Sequence, residues 1–407
     1  MELDLEMRPP TADEIPAFTR AVDAQFGGTS SDEENALWAL GMDPSRMLAV
    51  FDGGEIVGTS GAWAMEQTMP GGGRVPVAGV TVVGVSPTHR RRGLLNRMMD
   101  RMLDDALARG ESIAILTASE SAIYGRYGFG WATSMVDVEV ECDRSAFVAP
   151  VQAGGRIRRI DKDSVLKIVP ALHDRVWPAR VGDVTATGGH WDRLVADLES
   201  WRDGASGLFY ALHESDDGEP DGFSAYRYKH HSEHGNPKSA AIVQELFAES
   251  AEVEAALFRY LLDLDLVATV RIRTRPVDDH LRRRLAESRR YKVLGVGDDV
   301  WLRLVDVARA LALRRYRGDD SVVIEVADAK RPQNDGRYRV GNAGCERTTD
   351  EADVSVPVDS LGAAFLGGVS FAALALAGRA SENRPGGLDR ADALFLSSVQ
   401  PYAAHGF

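Results

Sequence analysis

Between positions 93 and 109 apolar residues recur three and four apart. Leu95, Met98, Met99, Met102, Leu103 and Ala106 share one face of a predicted helix, and Gly110 follows where a left-handed residue ends it. Strands are predicted on either side, at 79–86 and 112–117. The second, Ser-Ile-Ala-Ile-Leu-Thr, is nearly continuous in apolar character, as in a strand buried on both faces. Upstream, a helix is predicted over 12–26 and strands over 47–51 and 55–64, with Gly53-Gly54 as their hairpin turn. Downstream, strands at 208–212, 223–229, 240–247 and 268–273 enclose a helix at 251–264. Strands at 321–327, 336–340 and 352–356 then precede helices at 358–366, 370–377 and 386–395. The alternation predicts an α/β (α+β) chain in three segments, 1–150, 151–300 and 301–407, near the usual ~100–200 residues per domain.

Composition narrows the class. The 407 residues are 44% hydrophobic and 27% charged, enough apolar surface for a core without staples. Cys142 and Cys345 are the two cysteines; they have no metal-ligand spacing, so a cysteine zinc site is excluded and no metal is expected. The acidic start, MELDLEMRPPTADEI, lacks the basic and apolar regions of a secretory signal. No apolar run approaches the ~18 residues of a membrane span. A cytoplasmic protein without a membrane partner is expected. The net charge of −14 argues against a nucleic-acid partner and suits a cationic substrate, although acidic surfaces also serve solubility alone.

The stretch 81–95, Thr-Val-Val-Gly-Val-Ser-Pro-Thr-His-Arg-Arg-Arg-Gly-Leu-Leu, carries candidate chemistry. Pro87 stops a strand, a basic turn follows, and a helix begins near Gly93. Backbone N–H groups at a helix start lack internal acceptors and bind phosphate oxygens, with arginines adding charge. A basic run alone is ordinarily a solvated face; the strand before it and the apolar-faced helix after it favour a cofactor loop.

A second stretch, 118–130, reads Ala-Ser-Glu-Ser-Ala-Ile-Tyr-Gly-Arg-Tyr-Gly-Phe-Gly. Ser119 can cap a short helix carrying Tyr124. A tyrosine hydroxyl in a dry site can donate a proton to a leaving group. Tyr124 is preferred over Tyr127 for this role, and packing aromatics beside flexible glycines are the plain alternative.

Arg90, Gly93 and Leu95 fall on motif A of the GNAT acetyltransferase superfamily, where Leu95 replaces a small residue. The runs HRRRGLL and ASESAIYGRYGFG resemble the Eis (enhanced intracellular survival) family. That resemblance implies two tandem GNAT-like domains, the second without a working coenzyme A loop, followed by a sterol-carrier-protein-like α/β domain. It implies acetyl-CoA as cosubstrate, held by Val83, Gly84, Val85, Arg91, Arg92, Gly93, Leu94, Leu95, Asn96, Ser119 and Glu120. It implies Tyr124 as acid and the carboxylate of Phe407 as base, where a frayed terminus would otherwise be the expectation. It also implies homohexamers and cationic acceptors: aminoglycosides, polyamines or, alternatively, peptide lysines. Glycines, Gly28 and Gly406, stand where aminoglycoside-acetylating relatives carry acids. Trp38 is a cleft aromatic or a core residue. A non-catalytic coenzyme A- or lipid-binding assembly is the alternative of another class.

His230-His231-Ser232-Glu233-His234 matches the H-x-x-E-H pattern of zinc hydrolases. Gly235-Asn236-Pro237 follows at once, which predicts a hairpin loop in place of the helix that the motif needs.

Overall fold

A computed structural model describes residues 5–407. They form two compact units. One holds the residues up to Thr133, Arg180–Gly189 and Asp298–Phe407; the other holds Ser134–Ala179 and His190–Gly297.

The first unit opens with β1 (Leu5–Arg8), α1 (Ile15–Gln25), α2 (Asp32–Ala39), β2 (Met47–Asp52), β3 (Glu55–Thr68), β4 (Arg74–Val85), α3 (Leu94–Ala108), β5 (Ile113–Thr117), α4 (Ser121–Tyr124) and β6 (Gly130–Trp131). Strands β1 to β5 lie side by side in chain order, β4 and β5 parallel with α3 as their crossover. The strand beyond β5 comes from far downstream, Val300–Leu304, and it carries β6 on its other edge. β5 is thus interior, and its alternation sorts two cores. Ala114 and Leu116 meet Met99, Met102 and Leu103 of α3, whereas Ile113 and Ile115 face away from that helix. Each fully buried leucine, isoleucine or methionine among them stabilises the fold by about 1.5–3 kcal/mol.

The second unit continues with β7 (Ser134–Glu141), β8 (Arg156–Ile160), α5 (Lys162–Val176), α6 (His190–Ala196), β9 (Phe209–Glu214), β10 (Pro220–Lys229), β11 (Ser232–Glu233), β12 (Asn236–Pro237), β13 (Ser239–Ala248), α7 (Ala251–Leu262), β14 (Val267–Pro276), α8 (Leu281–Arg284) and β15 (Tyr291–Asp298). Its sheet runs β15-β7-β14-β13-β10-β9-β8, with β13 and β14 parallel around α7. The H-x-x-E-H stretch forms the small β11–β12 hairpin, so its histidines do not share a helix face.

The first unit resumes with β16 (Val300–Leu304), α9 (Val307–Leu313), β17 (Ser321–Ala327), β18 (Gly336–Gly341), β19 (Gly344–Thr348), β20 (Val354–Pro357), α10 (Val358–Phe365), α11 (Phe371–Leu376), β21 (Ser381–Glu382) and α12 (Gly387–Phe395). The five-stranded sheet β19-β18-β17-β20-β21 shares one apolar core with the first sheet. Val77, Ile113, Ile115 and Leu302 belong to the same cluster as Ile324, Phe365, Phe371 and Phe395. Helix α10 lies close against β16: a Cβ at Gly362 would stand 2.3 Å from the carbonyl oxygen of Leu302. A buried ion pair crosses the same junction, with Arg303 Nη2 donating to Asp328 Oδ2 at 2.5 Å.

Candidate active site

β4 follows β3 in antiparallel register from Thr68↔Arg74 to Gly61↔Thr81, and the register then shifts between Thr59 and Gly61. Val82, opposite the shift, has φ +50°, the left-handed backbone of a bulge. On its other edge β4 pairs with β5 only at Ala78↔Ala114 and Gly79↔Ile115. Thr117 and Leu116 of β5 pair with Val300 and Trp301 of β16. Beyond Gly79 the two parallel strands therefore part. Ser86 N donates to Val57 O at 2.8 Å. By strand alternation Val83 and Val85 turn their amide and carbonyl groups away from β3, into the wedge.

The turn Pro87–His89 leads into α3 through Arg91 (φ +62°) and Gly93 (φ +77°). A Cβ on Gly93 would meet nothing within 4 Å, so its left-handed φ requires the glycine rather than any shortage of space. No side chain caps α3, and its first backbone bond is Arg97 N to Gly93 O at 3.2 Å. The N–H groups of Leu94, Leu95 and Asn96 thus lack intrahelical acceptors and present the positive end of the helix dipole. In the second unit the equivalent crossover helix α7 differs. Ser250 caps it by accepting from Val253 N at 3.2 Å, and Glu252 and Glu254 stand in its first turn. That N-terminus has its own acceptor and the wrong charge for phosphate.

A cleft of about 640 Å³ runs from the wedge to the start of α3. Val83, Gly84, Val85, Arg91, Gly93, Leu94, Leu95, Asn96, Ser119 and Glu120 line it, as does Tyr124. Arg92 is not among the lining residues; its guanidinium turns back to the Thr88 carbonyl at 3.1 Å. Arg90 lines the cleft beside Arg91, and its Nε donates to Val85 O at 3.4 Å. The sequence pattern did not single out Gln25, Phe26, His89, Ile123 or Arg126, which also line it. Gln25 and Phe26 sit at the end of α1, and only tertiary packing brings them to β4. His89 has a local signal in the basic turn, and its Nε2 lies 2.9 Å from Asp52 Oδ2.

The two tyrosines are differently engaged. Tyr127 donates its hydroxyl to Asn96 Oδ1 at 2.7 Å. Tyr124 is buried, edge-on to Phe129 at 6.2 Å, and it borders both this cleft and an adjoining cavity of about 300 Å³. Burial pushes the Tyr124 hydroxyl above its ordinary value, more than a hydrogen bond from Ser119 lowers it. It therefore stays protonated at neutral pH.

The adjoining cavity is lined by Phe26, Val80, Thr81, Val82, Val83, Thr117, Ala118, Ser119, Tyr124 and Phe407. Phe407 is half-buried, and its ring packs against β4, where a Cβ at Gly79 would stand 3.3 Å from Cδ2. The terminal residues are thus folded in, not frayed. Gly406 has open space around its Cα, whereas a side chain at Gly28 would collide with the Asp23 carboxylate at 1.9 Å. Trp38 is half exposed on α2 and lines neither cavity. Among the described residues no helix is long and apolar enough to cross a membrane.

Comparison with known proteins agrees with this architecture. The Acetyltransferase (GNAT) domain family matches residues 6–132, a second Acetyltransferase (GNAT) domain family matches 184–304, and the Sterol carrier protein domain family matches 307–404. An uncharacterized N-acetyltransferase of Streptomyces avermitilis is 42% identical over 94% of each chain. The N-acetyltransferase Eis of Mycobacterium tuberculosis is 31% identical over 98% of each. The crystal structure of Eis1 from Mycobacterium abscessus is 35% identical and superposes with a TM-score of 0.87, covering 99% of this chain and 100% of that one.

Proposed function

We propose, for a chain that belongs to the Eis family of GNAT N-acetyltransferases, that its first domain transfers the acetyl group of acetyl-CoA to a primary amine of a cationic acceptor, with aminoglycoside-like and polyamine molecules as the first candidates. The observation that carries this reading is the parting of β4 and β5 directly before an uncapped, arginine-flanked helix start. GNAT acetyltransfer itself follows from the family. The acceptor and the roles of individual residues are the proposal.

The cleft suits the cosubstrate. N–H groups of Leu94, Leu95 and Asn96 with Arg90 and Arg91 would hold the pyrophosphate. The open edge of Val83 and Val85 would pair with the pantetheine amides. Bound acetyl-CoA supplies an acetyl thioester and a thiolate leaving group. Tyr124, kept protonated by burial, is the acid that hands its proton to the departing sulfur. Arg92, turned back to Thr88, serves the shape of the turn in this reading.

The Phe407 carboxylate faces the acceptor side. A carboxylate is too weak a base to strip an alkylammonium outright. It instead binds the ammonium as an ion pair and takes up its proton through water as the amine attacks. The C-terminal domain serves to deliver this residue. A homohexamer and a cytoplasmic location complete the proposal, and sedimentation equilibrium tests the first.

Thiol release from acetyl-CoA with polyamines, aminoglycosides and lysine peptides tests the acceptor. Turnover confined to lysine peptides would replace small amines with a protein substrate. A short extension after Phe407 should cut turnover while leaving coenzyme A affinity intact; full activity in the extended protein would remove the terminal base.

A further inference from the structure

The last residues of the chain have no regular secondary structure, yet Tyr402, Ala403 and His405 are buried. Their backbone is held at successive points. Tyr402 N donates to Val181 O at 3.0 Å. Arg180 donates to the Gln400 carbonyl at 3.3 Å, with its guanidinium 5.0 Å from the Tyr402 ring centroid. Ala404 N donates to Asp183 Oδ1 at 2.9 Å, and the same oxygen takes Val184 N at 3.0 Å. The backbone of Ala403 lies near the Asp299 carboxyl and favours its charged form. Asp299 is itself fixed: its Oδ2 accepts the Thr133 hydroxyl at 2.9 Å, and its N–H donates to the Thr133 carbonyl at 3.0 Å.

Two consecutive tail residues therefore meet two separate buried carboxyls, Ala404 by a direct hydrogen bond to Asp183 and Ala403 beside Asp299, each carboxyl only 6% exposed. Burying a carboxyl is costly unless its oxygens are hydrogen-bonded. Burial lifts Asp183 to about 6, against the pull of His405 and Arg180. It lifts Asp299 to about 7, with Asp183 and Asp298 pushing the same way. Neither residue lines the cavities around Tyr124. What each holds across the fold is the tail. Phe407 lies three positions beyond Ala404, and Gly406 between them has open space around it. At ~3.3 Å per residue a released tail would carry its carboxylate over ~10 Å, whereas reaction demands placement within ~1 Å.

We infer that Asp183 and Asp299 are positioning residues, a two-point backbone clamp that, with the Phe407 ring against Gly79, fixes the terminal carboxylate in the acceptor cavity. The catalytic consequence rests on the terminal-base reading; the clamp does not.

The test uses the full chain with Asp183→Ala and Asp299→Ala, the asparagine variants, and the extension after Phe407. Loss of the clamp should lower kcat by about 10- to 100-fold with the KM for acetyl-CoA unchanged. Hydrogen exchange at the amides of Ala403 and Ala404 should lose its protection. Asparagine keeps an oxygen acceptor and should restore most of both. Protected amides in the alanine variants would overturn the clamp. Lost protection with full kcat, where the extension abolishes activity, would overturn the positioning role. A harmless extension would instead remove the terminal base, and exchange alone would then judge the clamp. If the alanine variants do not fold, the parent protein decides: Ala403 and Ala404 must exchange far more slowly than Gly406, and equal rates refute the clamp.

Discussion

The hydroxyl of Tyr127 donates to Asn96 Oδ1 at 2.7 Å, across to the first turn of α3. Its proton is committed to holding that turn, while Tyr124 reaches both cavities. Tyr124→Phe should therefore lower kcat by about 100-fold or more with little change in coenzyme A affinity. Tyr127→Phe should instead act mainly on acetyl-CoA binding. Steady-state kinetics on the two variants separates them, and equal losses of kcat would leave the acid unassigned.

Arg91 lines the cleft and Arg92 turns to Thr88. Arg91→Ala should raise the KM for acetyl-CoA about tenfold, or ~1.4 kcal/mol, and more weakly at high salt. Arg92→Ala should change it much less. Coenzyme A titrations at two ionic strengths check both, and a larger effect at Arg92 would contradict the geometry.

Arg303 is fully buried and paired with Asp328, itself held by Asn334 Nδ2 at 2.8 Å. The guanidinium also covers the loop that follows Tyr124, since a Cβ at Gly128 would stand 2.2 Å from its Nη1. Asp328→Ala leaves that charge buried without its partner and should cost about 3–5 kcal/mol, read by urea denaturation. Asp328→Ala with Arg303→Met should cost less than the sum of the single changes.

Asp299 is lifted by burial to about 7 from an ordinary value of 3.8. A raised carboxyl holds its proton longer in the folded state. Its contribution is thus complete below about pH 4 and is lost as pH climbs through 7. Asp299→Asn should accordingly match the parent protein near pH 4 and exceed it in stability by on the order of 4 kcal/mol at pH 8.5. Denaturant melts at both pH values check this, and a gain at low pH alone would reverse the sign.

Local chemistry made the cleft legible in the sequence. Pro87, the arginines, Gly93 and the apolar face of α3 are contiguous, and all the proposed contacts but Arg92 line one cavity. The helix expected over 12–26 begins as a short 3₁₀ turn, because Thr11 and Glu14 form a capping box ahead of Pro16. The segment over 162–176 was not predicted as a helix; Pro170 interrupts its signal, yet Asp161 caps α5 and Val165, Val169 and Leu172 pack inside. β16 was missed for another reason. Val-Trp-Leu-Arg-Leu is short, and its partners lie in β5 and β6, more than 160 residues upstream. Gln25 and Phe26 were missed likewise, since nothing near them in the chain announces β4.

That reach of β16 also sets an order of assembly. β5 cannot gain its second neighbour until residue 304 has been synthesised, and the core behind it waits for Phe365, Phe371 and Phe395. Ile113 and Ile115 must spend most of translation without their final cover. On a ribosome this protein would emerge with the basic turn before α3 made early and its first sheet finished last, so a fragment ending near residue 150 should depend on chaperones and aggregate once released.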